Sequence, residues 1–210
     1  ALMSRELILR HPDIRQFTTV WMDSLRGGES MLVNTNKLIR FYDGATGLKT
    51  GSTGSAGYCL SATAEKNGME LIAVVLKGKT SDERFSDAKS LLNYGFSTWS
   101  LVTVTPDEVL PPVPVMLGVR GTVQPVLTSE NTLLVEKTLA NSLTKEIALA
   151  ESVAAPVYAG DTLGQLTVRD AAGNTVAELP ILAGEDVGHV TFVQMLGRCL
   201  ARGFCMGSQS

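Results

Sequence analysis

The chain has 210 residues, 44% of them apolar, and a formal net charge of −3. That length allows one large domain or two small ones with real cores, and the charge balance points away from nucleic acid and from a strongly acidic partner. Three cysteines (Cys59, Cys199, Cys205) and two histidines (His11, His189) form neither a disulfide framework nor a metal-ligand pattern, so no metal and no cofactor is expected.

The first residues lack the basic start, apolar run and small-residue cleavage site of a signal peptide. Leu2, Leu7, Ile8 and the stop at His11-Pro12 suit a helix whose beginning is missing, so the amino terminus reads as a cut edge. No apolar stretch reaches the roughly 18 residues of a spanning helix. Further on, residues 58–65 alternate in character and residues 69–76 are almost continuously apolar, with Asn67-Gly68 between them. This pattern predicts a hairpin whose second strand is buried on both faces. Thr80 and Glu83 then form a capping box, and Phe85, Ala88, Leu92, Phe96 and Trp99 recur at helical spacing. An amphipathic helix packing on that sheet is predicted.

The character changes near Val102, where Pro106, Pro111, Pro112 and Pro114 punctuate a linker. Short strand-like runs follow over 113–119, 122–127, 132–135, 146–150, 162–168 and 176–182, which suggests a small antiparallel β-sandwich. From Thr191, a helical projection puts Phe192, Met195, Leu196, Cys199 and Leu200 on one face, with Arg198 and Arg202 at its flank. A basic amphipathic segment of this kind can lie in a membrane interface. Gly197, Gly203 and Gly207 weaken it as a helix, and packing back on the β domain is the competing reading. Three segments result: 1–101, 102–188 and 189–210.

The chemistry concentrates in Gly47-Leu48-Lys49-Thr50-Gly51-Ser52-Thr53. Lys-Thr-Gly is one of the elements of penicillin-recognising serine acyl-transferases. On an edge strand lining a cleft, Lys49 supplies positive charge and the Thr50 hydroxyl can bond a carboxylate. Gly51 lets the backbone approach a ligand, and the next amide, that of Ser52, can serve a tetrahedral oxyanion. Three residues alone also fit an ordinary turn or strand start. Their neighbours narrow the choice. Val33-Asn34-Thr35-Asn36-Lys37-Leu38, Gly44 through Thr53, Ala56-Gly57-Tyr58-Cys59-Leu60, Gly68 through Val75, Asp82-Glu83-Arg84-Phe85 and Tyr94-Gly95-Phe96 strongly resemble the D-alanyl-D-alanine carboxypeptidases, the low-molecular-mass penicillin-binding proteins. The resemblance is specific over residues 30–97 and looser beyond.

The resemblance implies an α+β fold: part of a penicillin-binding-protein or β-lactamase-like transpeptidase domain over 1–101, then a small all-β domain and a short amphipathic helix. Lys49 would manage charge near the nucleophile, and Thr50 would bind the terminal carboxylate of a peptidoglycan stem peptide or of a β-lactam. Ser52 would give half the oxyanion hole. Arg84 would reinforce carboxylate binding, or else be a solvated arginine on a helix surface. One departure is Thr46, where many relatives carry Asp.

The family's Ser-x-x-Lys and Ser-x-Asn elements precede Lys-Thr-Gly, and no such pair stands upstream here. Ser86-Asp87-Ala88-Lys89, Ser142-Leu143-Thr144-Lys145 and Ser129-Glu130-Asn131 follow it instead, and roughly one accidental Ser-x-x-Lys match is expected in such a composition. The expected function is therefore a portion of a serine-type carboxypeptidase that removes the terminal D-Ala through an acyl-serine intermediate, inactive without its nucleophile. It would act outside the cytoplasm, in the bacterial cell envelope, and residues 191–206 would touch the outer face of the cytoplasmic membrane. The alternatives are a non-catalytic binding or tethering module and a β-lactamase-related fragment.

Overall fold

The computed structural model of the chain describes residues 1–197. Two compact units make up the chain, one of Ala1–Leu101 with Leu134–Thr138, the other of Val102–Leu133 with residues from Leu139 onward.

The first unit begins with helices α1 (Leu2–Arg10) and α2 (Arg15–Thr18), then a small hairpin of β1 (Met22–Leu25) and β2 (Ser30–Val33). The short helix α3 (Leu38–Phe41) leads into a three-stranded antiparallel sheet of β3 (Ala45–Thr53), β4 (Gly57–Lys66) and β5 (Met69–Gly78). Asn67 and Gly68 both take positive φ, the backbone that a tight two-residue hairpin turn needs, and the register Lys66↔Met69 closes around them. Helix α4 (Ser81–Thr98) follows. Its Thr80 hydroxyl accepts from the Glu83 amide at 3.1 Å, while Glu83 Oε2 reaches back to the Lys79 amide at 2.5 Å, one residue earlier than in the usual box. Phe85, Ala88 and Leu92 of α4 are buried against Leu60, Ala62, Ala64, Ala73 and Val75 of the sheet.

Strand β5 departs from the sequence expectation. Met69, Ala73 and Val75 are buried, yet Leu76 is 73% exposed, because α4 covers one sheet face and the described residues leave part of the other open. The β1–β2 hairpin is also absent from the sequence reading. All of β1 and most of β2 are exposed, so no half-buried alternation marks them. The first run of this unit ends at Leu101, within strand β6 (Trp99–Thr103).

The second unit contains β7 (Val113–Met116), β8 (Thr122–Val123) and β9 (Pro125–Leu127). Next in the chain come β10 (Thr132–Glu136), whose carboxyl half belongs to the first unit, and α5 (Lys137–Ala140). After them come β11 (Thr144–Leu149), β12 (Val153–Ala154), β13 (Thr162–Arg169) and β14 (Thr175–Ala183). An antiparallel four-stranded sheet of order β11-β13-β14-β9 and a three-stranded sheet of order β12-β7-β8 share a core that includes Val113, Val123, Leu163, Ala183 and Val187. One pairing breaks the antiparallel expectation: β12 runs parallel to β7 over two residues. Residues 192–197 are helical; Cys199, Leu200 and the arginines of the expected basic tail lie outside the described residues.

Candidate active site

Strand β3 lies at the edge of its sheet among the described residues, with Lys49, Thr50, Gly51 and Ser52 opposite Ser61, Leu60, Cys59 and Tyr58 of β4. An edge strand keeps one row of backbone donors and acceptors free to meet a ligand. Lys49 is exposed and lines a cleft of about 420 Å³ with Met3, Ser4, Leu7, Thr18, Leu48 and Ser61. Its ammonium donates to the neighbouring Thr50 carbonyl. A Cβ placed on Gly51 would meet no heavy atom within 4 Å, so the backbone there faces open space. Ser52 is exposed.

Thr50 is buried, and its hydroxyl shares a hydrogen bond of 2.6 Å with Thr35 Oγ1. A buried hydroxyl without a partner would be costly, so Thr35 satisfies it and fixes its rotamer at once. Asn36, also buried, clamps the lead-in: its Nδ2 donates to the Gly47 carbonyl at 2.8 Å and its Oδ1 accepts from the Leu38 amide at 3.2 Å. Asn34 adds Nδ2 bonds to the Thr18 and Val20 carbonyls. Asn34, Thr35 and Asn36 fall in one of the stretches that carry the family resemblance, but no role for these residues was legible before their partners were placed. Short polar residues before a helix signal local backbone capping, not a bond to a strand 11 residues on.

Thr46 is bonded on both sides. Its carbonyl accepts from Thr18 Oγ1 at 2.6 Å, and its hydroxyl reaches Thr63 Oγ1 at 2.8 Å and Glu70 Oε1 at 3.3 Å. Glu70 faces Glu65 across β4 and β5, a like-charge pair, and Arg15 bridges them at 2.5 Å and 3.5 Å. The strand therefore enters the Lys-Thr-Gly segment held by neutral hydroxyls and one compensated carboxylate pair.

Arg84 is 7% exposed, which rules out the solvated-surface alternative for it. From the first turn of α4 its Nη1 donates to the carbonyls of Gly51 at 3.3 Å and Cys59 at 3.2 Å, and Nη2 donates to Ser81 Oγ at 3.3 Å. The guanidinium also lies 5.4 Å from the Tyr58 ring and 4.8 Å from the Phe85 ring, in cation–π range. Among the described residues it has no acidic partner, and its Nε is buried without a hydrogen bond. Arg84 joins the Lys-Thr-Gly strand through main-chain carbonyls and brings a net positive charge beneath its carboxyl end.

The other motif strings are absorbed locally. Ser86 and Lys89 border a separate cleft of about 270 Å³ with Lys37 and Asp82. Ser142 Oγ donates to the Leu139 carbonyl at 3.0 Å and Lys145 pairs with Asp107 at 2.5 Å. Asn131 Nδ2 donates to the Val104 carbonyl at 3.0 Å. None of these residues lies among those lining the Lys49 cleft.

An antiparallel sheet with Lys-Thr-Gly on its edge, backed by a helix that carries an arginine and followed by a separate β unit, defines a class of penicillin-recognising serine enzymes. The comparisons agree. A family model described as D-alanyl-D-alanine carboxypeptidase matches residues 1–80, and one described as Penicillin-binding protein 5, C-terminal domain, matches residues 102–189. D-alanyl-D-alanine carboxypeptidase DacF of Bacillus subtilis is 34% identical over 205 residues, 95% of this chain and 52% of that protein. D-alanyl-D-alanine carboxypeptidase DacC of Escherichia coli is 30% identical over 143 residues, 67% of this chain and 36% of that protein. The fold is similar to penicillin-binding protein 5 of Haemophilus influenzae, with a TM-score of 0.70 and 23% identity over 90% of this chain and 55% of that one. The chain thus spans about half the length of the first of these relatives and less of the second. It belongs to the serine-type D-alanyl-D-alanine carboxypeptidase family, the low-molecular-mass penicillin-binding proteins.

Proposed function

We propose that these 210 residues supply one wall of a D-Ala-D-Ala carboxypeptidase site that releases the terminal D-Ala of peptidoglycan stem peptides through an acyl-serine intermediate. The observation that carries this reading is the clamped edge strand: Thr50 held by Thr35 and Gly51 held by Arg84, with Lys49 open to a cleft. In this reading Thr50 and Arg84 attract the substrate carboxylate, which a β-lactam also carries. Lys49 lowers the cost of charge near the nucleophile, Gly51 admits the substrate backbone, and the Ser52 amide gives half of an oxyanion hole. The attacking serine and its lysine belong to a Ser-x-x-Lys outside these residues, so the 210-residue chain alone holds half a site. It works in the extracytoplasmic cell envelope, and the segment from Thr191 lies against the outer face of the cytoplasmic membrane. Support for the last point is the exposure of Phe192, Val193 and Leu196 in the helical residues 192–197.

Incubation with a fluorescent penicillin tests the half-site directly. The expected result is no covalent label, together with weak reversible binding of N-acetyl-D-alanyl-D-alanine that shifts the amide signals of residues 49–52 and weakens in Lys49→Ala. Covalent labelling of the chain would overturn the absence of a nucleophile. Binding that ignores Lys49→Ala and Thr50→Val would overturn the wall.

A further inference from the structure

We infer that the turn between β7 and β8 is a second lipid-contact element, acting beside the helical segment that starts at residue 192 on one anionic-bilayer surface. The inference rests on the membrane reading given above and adds a contact that the tail alone does not contain. Met116, which ends β7, and Leu117, which opens the turn, are 54% and 51% exposed, and Val119 is exposed as well. Leu117 also takes a φ of +58°, a region that disfavours a bulky side chain and suits Gly or Asn. A leucine that is both strained and half in water gains nothing from the fold at that position. Such a residue fits a surface whose apolar side chains meet another apolar phase.

The turn is rigid, and it is tied to the tail. Val115 N donates to the Gly121 carbonyl at 2.9 Å and Ala155 N to the Met116 carbonyl at 2.9 Å. Val119 N donates to the Gly188 carbonyl at 2.8 Å, Val190 N donates to the Leu117 carbonyl at 2.7 Å, and Gly118 bridges His189. A Cβ on Gly118 would come within 2.6 to 2.9 Å of the Arg120 carbonyl, Val115 and Val187, so the turn can pack this closely only with Gly there. The chain that leaves Val190 becomes the helical residues 192–197, where Phe192 and Val193 are 81% and 77% exposed.

Charge selects the occupant. No acidic residue occurs from 109 to 129 or from 187 to 210, while Arg120, Arg198 and Arg202 fall within those stretches. Arg120 is already paired with Glu185 and bonded to the Asp186 carbonyl, so the net positive charge of the two stretches rests on Arg198 and Arg202. Apolar side chains on a rigid turn, next to a basic amphipathic segment, match the interface of an anionic bilayer.

The test uses the 210-residue chain with phosphatidylcholine vesicles that contain phosphatidylglycerol, read by cosedimentation. Leu117→Asn with Met116→Ser removes the apolar side chains and relieves the positive φ, so the melting transition is expected to stay cooperative. Its partition coefficient is expected to fall about fivefold to tenfold. Phe192→Ser with Leu196→Ser, the parallel lesion in the tail, is expected to fall by at least as much. If the tail variant loses binding and the turn variant keeps it, the second contact is overturned and the tail reading stands. If the unaltered chain does not sediment with the vesicles, both fall. If Leu117→Asn dissociates a dimer in solution and leaves vesicle binding unchanged, the turn is a contact between copies and the inference is overturned. An environment-sensitive dye on Leu117→Cys gives an independent reading: its emission shifts to the blue on vesicles if the turn enters the interface and stays put if it does not.

Discussion

Arg84 and Gly51 meet at the start of α4, the helix that packs on β4 and β5: Nη1 donates to the Gly51 carbonyl across 3.3 Å, from a side chain that is almost wholly buried. A helix residue thus holds the backbone of the strand that carries Lys-Thr-Gly, and among the described residues no carboxylate pairs with its charge.

Replacing Arg84 by Ala takes the donor away from the Gly51 and Cys59 carbonyls and opens space beside Tyr58 and Phe85. Loss of a charged hydrogen bond in such a place costs about 2–3 kcal/mol. Arg84→Lys is expected to recover only part, because an ammonium cannot span the Gly51 and Cys59 carbonyls and Ser81 as a planar fork does. Chemical denaturation of the three proteins checks the order.

Thr50→Val and Thr35→Val each remove one end of the same hydrogen bond, and Thr35→Val leaves the buried Thr50 hydroxyl without its partner. Each single change is expected to cost about 1–2 kcal/mol, and the double variant less than their sum. A coupling energy near zero would show that the two hydroxyls do not sense each other. Thr50→Ser keeps the donor and is expected to stay within about 1 kcal/mol of the parent.

Arg15 separates two carboxylates that face each other across β4 and β5. Arg15→Met exposes the repulsion between Glu65 and Glu70 and removes the counter-charge from the carboxylate that touches Thr46. The expected loss is about 1 kcal/mol, since Arg15 and Glu65 are partly solvated. Adding Glu65→Gln to Arg15→Met is expected to restore part of it, as thermal melts would show.

Asp82, in the first turn of α4, is held below the ordinary carboxylate range by a hydrogen bond from Lys37 and then by that ammonium's charge. Its pKa is lowered by folding, so its contribution is present above about pH 4, the unfolded carboxylate value, and is lost as pH falls through the lower folded value. Asp82→Asn is therefore expected to be less stable than the parent near neutral pH and equal to it in strong acid. Urea melts from neutral to acid pH, run on both proteins, give the comparison. A gap that persists at the acid end would mean that the carboxylate charge is not the cause.

Much of the framework could be read directly from adjacent residues. Asn67-Gly68, the Thr80 and Glu83 cap and the spacing of Phe85, Ala88 and Leu92 are local codes: turns, caps and helix faces depend on a few neighbouring side chains. The Lys-Thr-Gly run and its flanks carried the family in the same way. The strands of the second unit were legible in outline, except that alternation does not report direction, and the parallel β12–β7 pair went unseen. The clamps on the site were not legible. Thr35 with Thr50, Arg84 with Gly51 and Arg15 with Glu70 join residues 15, 33 and 55 positions apart. Their meeting depends on strand register and on how α2 and α4 seat on the sheet, which the summed packing of many side chains sets. Arg84 shows the gap most clearly. Its sequence neighbours suit a wet helix surface as well as a binding role, and only the docking of α4 under Gly51 and Cys59 takes that charge out of water.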